Sequence, residues 1–148
     1  MASKGRGTKS NCFGCGINNK TGLGLKFSML DGGIAYANLK LSDRFEGMDG
    51  LVHGGAISSV LDESMSHAIF RNRMRSSVTA DLYVRYVHPV KINESYTVRA
   101  WVKNENRKII ETKAQIIDIT GTVVAWAEAR FMSSVGLTGG HEIERLED

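Results

Sequence analysis

Gly50-Leu-Val-His-Gly-Gly-Ala-Ile-Ser-Ser-Val-Leu-Asp62 is the most informative segment of this sequence. From Gly54 to about Asn72, apolar residues recur at helical spacing, at Ile57, Val60, Leu61, Met65, Ala68 and Ile69. Gly54 and Gly55 open this helix, where unpaired N–H groups and the helix dipole favour developing negative charge. Asp62 interrupts the apolar run, where an uncompensated carboxylate is costly. A carbonyl-polarising helix start and an embedded acid or base together suggest acyl chemistry.

Residues that alternate in character with a period of two predict strands on both sides of the helix. Two strands precede it, joined by the hairpin signal Asp31-Gly32-Gly33, and four follow; the predicted segments are 23–29, 34–41, 78–88, 95–103, 109–119 and 122–133. Small residues on one face of the last strand leave room for a helix or an acyl chain. This order favours an α+β fold with one antiparallel sheet around one buried helix.

Length and composition bound the class of protein. The chain has 148 residues, 42% of them hydrophobic and 24% charged, with a net charge of +3. These values predict one globular domain at 12–134, a flexible leader at 1–11 and a polar tail at 135–148. The charge is too diffuse to indicate nucleic acid, and no apolar run reaches the length of a membrane span. The N-terminus has no apolar signal region, so we expect a cytoplasmic protein.

Cys12 and Cys15 are the only cysteines. At this spacing they would supply half of a tetrahedral zinc site. The glycines and asparagines around them are typical of a turn, so we expect a plain turn of reduced cysteines, with a zinc or redox role as the alternative. There is no other metal-binding motif, and we expect no metal ligands.

The His-Gly-Gly that opens the helix, with Leu-Asp-Glu following, resembles the hotdog-fold acyl-CoA thioesterases of the PaaI-like (phenylacetyl-CoA thioesterase) type over residues 12–133. The segments that carry the family resemblance are 52–55, 61–63, 79–82 and 86–90. Segments 12–16, 22–27 and 45–47 resemble the branch with an N-terminal Cys-x-x-Cys-Gly turn. The resemblance implies the order β-β-α-β-β-β-β and hydrolysis of an acyl- or aryl-CoA. No cofactor is implied, because coenzyme A is part of the substrate.

The resemblance also implies residue roles. The Gly54 amide would be the oxyanion donor, Asp62 the nucleophile or general base, and Thr79 would orient the water or the carboxylate. His53 would support the turn by hydrogen bonding, and Glu63 is a further catalytic candidate. Substrate contacts are expected from Gly55, Asp49, Val52, Arg71, Arg73 and His88.

Two details leave alternatives open. Related enzymes carry an Asn six residues before the His, and this chain has Gly47 there, so the role of that Asn falls to Glu46, Asp49 or Glu63, or is absent. The arginines at 71, 73 and 75 suit the C-terminal end of a helix dipole, with a phosphate clamp for coenzyme A as the alternative.

Helix geometry predicts how the site is assembled. Gly54 and Asp62 would lie about 12 Å apart along one helix, too far to act on one thioester. Antiparallel helices across a two-fold axis would bring Gly54 of one chain near Asp62 of another. We therefore expect a homodimer with shared sites, with a tetramer of stacked dimers as the alternative. A hotdog-fold hydratase or dehydratase and a non-catalytic acyl-CoA-binding protein are the rival interpretations.

Overall fold

The computed structural model describes residues 10–73 and 76–133, and its elements follow the expected order. They are β1 (Ser28–Leu30), β2 (Ile34–Leu39), a 3-10 helix (Asp43–Phe45), α1 (Gly54–Arg73), β3 (Ser77–Tyr86), β4 (Tyr96–Glu105), β5 (Ile109–Asp118) and β6 (Val123–Ser133). The α+β prediction is confirmed. Most of the expected leader, the polar tail and Arg75 lie outside the described residues.

All six strands form one antiparallel sheet in the order β1-β2-β4-β5-β6-β3. A row of alanines crosses the four central strands, because Ala35 pairs with Ala100, Ala100 with Ala114, and Ala114 with Ala127. All four are fully buried. Methyl groups in this row let α1 approach the sheet closely, as the small residues of the last strand predicted.

The two halves of α1 differ in burial. Every residue from Ser64 to Ile69 is buried, and Leu61, Met65 and Ile69 fill the core between helix and sheet. In the first half, Gly55 is exposed, while one face carries half-buried residues with short side chains, Ala56, Ser58, Ser59 and Asp62. The helix therefore presents the face that contains Asp62 to the outside of a single chain.

The first strand is shorter than expected, because the predicted segment 23–29 is extended but only its end pairs with β2. The N–H of Leu23 donates to Phe13 O at 2.7 Å, and that of Leu25 donates to Gly14 O at 2.9 Å. Gly24, between them, has a φ of 65°. This segment binds the N-terminal turn instead of a neighbouring strand, a long-range pairing that alternation cannot reveal.

The described residues contain no helix that is both long enough and apolar enough to cross a membrane.

Candidate functional site

His53 immediately precedes α1 and stabilises its first turn. Its Nδ1 accepts a 2.9 Å hydrogen bond from the Gly55 N–H, and its carbonyl oxygen accepts from the N–H groups of Ala56 and Ile57 at 2.9 and 3.2 Å. Within residues 10–73 and 76–133, no acceptor is found for the Gly54 N–H. The first turn therefore leaves Gly54 as the backbone donor that a ligand at the helix start can use.

The end of β3 holds this helix start in place. The Tyr86 hydroxyl donates to Gly54 O at 2.9 Å and lies 2.5 Å from Ser58 Oγ. A Cβ atom on Gly54 would lie 3.5 Å from the Tyr86 ring, an ordinary contact, so space alone does not require glycine there. The sequence patterns did not single out Tyr86 or Ser58 as site residues, and only the tertiary fold shows their association.

Two turns further along α1, Asp62 meets Thr79 of β3. The Thr79 hydroxyl donates a 2.7 Å hydrogen bond to Asp62 Oδ1. A shift in the β3–β6 register follows directly after Thr79, before Asp81, and such irregularities re-aim side chains near functional sites. Asp62 and Thr79 line an open cleft of about 450 Å³, so a carboxylate oriented by a hydroxyl faces a space that a ligand can enter.

Glu63 points elsewhere, although it is adjacent to Asp62 in sequence. Its Oε1 lies 3.6 Å from Cys12 Sγ and 3.3 Å from His67 Nε2. Burial, reinforced by hydrogen bonding and charge repulsion from Glu63, raises the pKa of the Cys15 thiol far above its ordinary value. The structure thus pairs Glu63 with the N-terminal cysteines and Asp62 with Thr79, although both acids line the same cleft.

The loop before α1 contains Gly47, at the position where related enzymes carry Asn. A Cβ atom on Gly47 would lie 3.0 Å from His53 Cα and 3.2 Å from His53 Cβ, closer than ordinary contacts. Glu46 Oε2 accepts a 2.8 Å hydrogen bond from the Gly50 N–H. Of the three acids considered as replacements for the Asn, Glu46 therefore holds this loop and Glu63 holds the cysteine turn, while Asp49 is exposed.

The candidate substrate contacts are dispersed in a single chain. Val52 is buried and its N–H donates to Val90 O at 2.8 Å. Arg73 pairs with Glu105, and Arg71 lines a cavity of about 360 Å³ beside Cys15. His88 lines another cleft, of about 500 Å³. None of the three basic residues lines the cleft that holds Asp62.

Comparisons with known proteins agree with this architecture. The sequence profile described as the thioesterase superfamily matches residues 49–125, which contain the helix start, Asp62 and Thr79. A protein of Saccharolobus solfataricus, whose name proposes an esterase, is 24% identical over 99 residues, which are 66% of this chain and 62% of that protein. The chain thus spans less than two thirds of the length of this curated relative.

Solved structures share the fold at low sequence identity. The Escherichia coli PaaI protein from the phenylacetic acid degradation operon superposes with a TM-score of 0.68 at 17% identity, over 74% of this chain and 83% of that one. Zebra fish thioesterase superfamily member 2 gives 0.67 at 19%, over 73% and 80%. A Streptococcus mutans protein solved with acetyl-CoA gives 0.68 at 15%, over 74% and 88%. The expected hotdog fold is confirmed.

Proposed function

Because the chain belongs to the thioesterase superfamily, we propose that it is an acyl-CoA thioesterase that hydrolyses an acyl- or aryl-CoA to the free acid and coenzyme A. The observation that carries this proposal is the hydrogen-bonded Asp62–Thr79 pair, which faces an open cleft. Asp62 lies on the helix whose first residue offers the Gly54 N–H. Bound acetyl-CoA in the Streptococcus mutans relative supports a coenzyme A thioester as the substrate class.

In this proposal Asp62 supplies the oxygen nucleophile or activates it. Its carboxylate either attacks the thioester carbonyl carbon directly or accepts a proton from the attacking water. The hydrogen bond from Thr79 holds Oδ1 in one orientation, so the carboxylate need not be ordered when the substrate arrives. Hydrolysis adds one water, breaks the C–S bond, and releases the coenzyme A thiol and the carboxylic acid.

Gly54 stabilises the negative charge that develops on the thioester oxygen. Its N–H lies at the positive end of the dipole of α1, and His53 satisfies the three donors that follow it in the first turn. A preorganised donor of this kind contributes about 3–4 kcal/mol to transition-state stabilisation. Tyr86 positions this turn through its bond to the Gly54 carbonyl.

A second copy of the chain supplies the missing half of each site. The helical rise places Gly54 and Asp62 about 12 Å apart along α1, so one carbonyl group cannot contact both in one chain. In a two-fold dimer, His53 and Gly54 of one subunit meet Asp62, Glu63 and Thr79 of the other. The half-buried face of α1 that carries Asp62 is then covered by the partner.

The two ends of the sheet support such a dimer. β1 has only 3 residues, whereas β3 at the other end has 10. Long exposed edge strands invite pairing with another chain, and proteins usually shorten or cover them. Exposed apolar side chains cluster on and just after β3, at Leu82, Tyr83, Tyr86 and Val87. We propose that β3 is the strand through which two subunits associate.

A panel of acyl-CoAs tests the activity. Phenylacetyl-, octanoyl- and palmitoyl-CoA are incubated with the protein and free thiol is measured, with the Asp62→Asn variant as the matched blank. Thiol release by the wild type alone supports the proposal. A change in enoyl-CoA absorbance without thiol release would instead identify a hydratase, and binding without turnover would identify an acyl-CoA-binding protein.

Subunit complementation tests the shared site. Gly54→Pro removes the amide donor while proline remains tolerable in a first helical turn, and Asp62→Asn removes the carboxylate. Each mutant homodimer should be inactive, while a purified heterodimer should regain one intact site of two. A heterodimer as inactive as its parents would contradict the shared site without affecting the acyl-CoA assay.

A further inference from the structure

Two thiols and a carboxylate meet where the N-terminal turn packs on α1. Ligand atoms of Cys12, Cys15 and Glu63 all lie within 4.8 Å of one another. Cys15 is buried, and Cys12 and Glu63 are half-buried. Glu63 is 51 residues from Cys12 in sequence, so its association with the two cysteines is a product of the tertiary fold.

A fourth side chain stands beside this group. His67 follows Glu63 by one helical turn, and its Nε2 lies 3.3 Å from Glu63 Oε1. The imidazole is 7% exposed and stacks on Phe27 with ring centroids 4.3 Å apart. Neither ring nitrogen forms a hydrogen bond to any residue in the described part of the chain. Burying a donor or acceptor without a hydrogen bond is destabilising, so an additional ligand would stabilise this imidazole.

Two of the separations, both measured from Glu63, fit the edges of a metal tetrahedron. Zinc bonds of about 2.3 Å to sulfur and about 2.0–2.1 Å to nitrogen or oxygen imply sulfur–oxygen edges of about 3.6 Å and nitrogen–oxygen edges of about 3.3 Å. The Cys12 Sγ–Glu63 Oε1 distance is 3.6 Å, and the His67 Nε2–Glu63 Oε1 distance is 3.3 Å. His67 lies outside the group whose atoms are all within 4.8 Å, so a four-residue site would require its ring to move toward the thiols.

We propose that Cys12, Cys15, Glu63 and His67 bind one Zn²⁺ ion that fastens the N-terminal turn to α1. Cys-x-x-Cys with two further ligands from a helix is a closed, four-coordinate set, typical of structural zinc and distinct from a catalytic site with an open position. Binding releases the two thiol protons to solvent, and two thiolates with one carboxylate then offset the charge of the ion. Zinc affinity therefore falls as the pH is lowered.

The turn is shaped to place its sulfurs against the helix. A Cβ atom on Gly14 would lie 2.4 Å from Glu63 Cγ, so glycine is needed for this approach. The Gly16 N–H donates to Cys12 O at 2.9 Å and closes the turn between the two cysteines. A plain turn of reduced cysteines, favoured by the sequence alone, accounts for these glycines but leaves both His67 nitrogens without a hydrogen bond.

A zinc ion bound by these residues would also affect the cleft that contains Asp62. Cys12 and Glu63 line the same cleft as Asp62 and Thr79. Zinc at this point would fix one wall of the cleft without touching the Asp62–Thr79 pair. We expect metal removal to lower thermal stability and to increase proteolysis within residues 10–25, because turn contacts alone would then hold that segment.

Elemental analysis of the full-length protein, purified with reductant and without chelator, tests the site. We expect about one zinc per chain, lost in the Cys12→Ser/Cys15→Ser double variant and in Glu63→Gln. Glu94→Gln, at an exposed acid away from the cluster, is the matched control and should keep its zinc. His67→Gln should weaken zinc binding at least about tenfold, as expected for the loss of one ligand.

Cobalt gives a second measurement that is independent of the stability of any variant. Wild-type protein freed of zinc by a chelator is titrated with Co²⁺ alone. Thiolate-to-cobalt charge-transfer bands and the intense visible bands of tetrahedral cobalt are expected. Reduced wild-type protein that is folded by circular dichroism, contains no zinc and binds neither Zn²⁺ nor Co²⁺ would overturn the proposal. Unchanged zinc affinity in His67→Gln would overturn the four-residue ligand set.

Discussion

Thr79 on β3 and Asp62 on α1 are joined by a 2.7 Å hydrogen bond from hydroxyl to carboxylate. The bond links the outermost strand of the sheet to the middle of the helix, at the open cleft. It gives the carboxylate a fixed orientation where the rest of this helix face is formed by short side chains. The first two predictions address its two partners.

Asp62→Asn keeps the size and polarity of the side chain but removes the base or nucleophile. We expect turnover, measured by thiol release from acyl-CoA, to fall about a hundredfold or more. The far-ultraviolet circular dichroism should be unchanged. Asp43→Asn, at an exposed acid of the 3-10 helix, is the control and should keep wild-type activity. Retained turnover in well-folded Asp62→Asn protein would exclude Asp62 as the catalytic group.

Thr79→Val keeps the shape of the side chain and removes its hydroxyl. We expect kcat to fall about tenfold with a smaller change in KM, because the carboxylate loses its orientation rather than its charge. Thr79→Ser retains a hydroxyl and should recover most of kcat. Equal losses of kcat in both variants would show that packing, rather than the hydrogen bond, matters at this position.

Tyr86→Phe tests the support of the helix start. The variant loses the hydrogen bond to Gly54 O and the contact with Ser58 Oγ. We expect the free energy of unfolding to fall by about 0.5–1.5 kcal/mol, and kcat to fall several-fold because the Gly54 amide is less firmly positioned. Tyr36→Phe, which removes the hydroxyl that bonds Asn38 Oδ1 on β2, serves as the control. Equal effects of the two substitutions would contradict a specific role for Tyr86.

Gly47→Asn restores the residue type of related enzymes at this position. The new Cβ would approach His53 Cα to 3.0 Å, and His53 must shift, although its Nδ1 holds the first turn of α1. We therefore expect lower activity rather than a gain, with Gly47→Ala causing a similar loss. An increase in turnover for Gly47→Asn would show that the loop adapts and that the Asn function can be transplanted.

Asp118 should titrate below the ordinary Asp pKa of 3.8, because the Thr120 hydroxyl and the Thr122 N–H donate to its carboxylate. A folded-state pKa below the unfolded value means that this contribution to stability is present above the unfolded pKa. It is lost as the pH falls through the folded one. Thr120→Val should move the pKa upward, which carboxyl carbon shifts in an NMR titration would report. An unmoved pKa would assign the effect to the backbone donors instead.

Local periodicity predicted the elements and their order, since each strand and the helix bury one face against the common core. It failed at residues 23–27, where the backbone partners belong to a turn about ten residues earlier in the chain. The same reasoning applies to the site. Asp62 was detectable as an acid in an apolar run. Tyr86 was not detectable as a site residue, because its hydrogen bond to Gly54 spans 32 residues. Neither the strand alternation around Tyr86 nor the helical periodicity after Gly54 indicates that contact.

The cysteine turn was likewise only partly predictable from the sequence. Its glycines were recognisable as turn residues, but the partners of its sulfurs were not, because Cys12 and Glu63 are 51 residues apart. His67 is buried in the second half of α1, and nothing in the local sequence distinguishes it from an ordinary core residue. Only the packing of the turn on the helix shows that its nitrogens are buried without hydrogen bonds.

In the proposed dimer, the long outer edge of β3 would make a dissociated subunit prone to aggregation. Its exposed backbone and the apolar side chains at Leu82 and Tyr83 form a template onto which any extended chain can add. When dilution separates the subunits of the proposed dimer, irreversible aggregation would therefore compete with reassociation. Specific activity should decline with time in dilute solution, and a lysine placed at Tyr83 should protect the separated chains from aggregation while weakening their association.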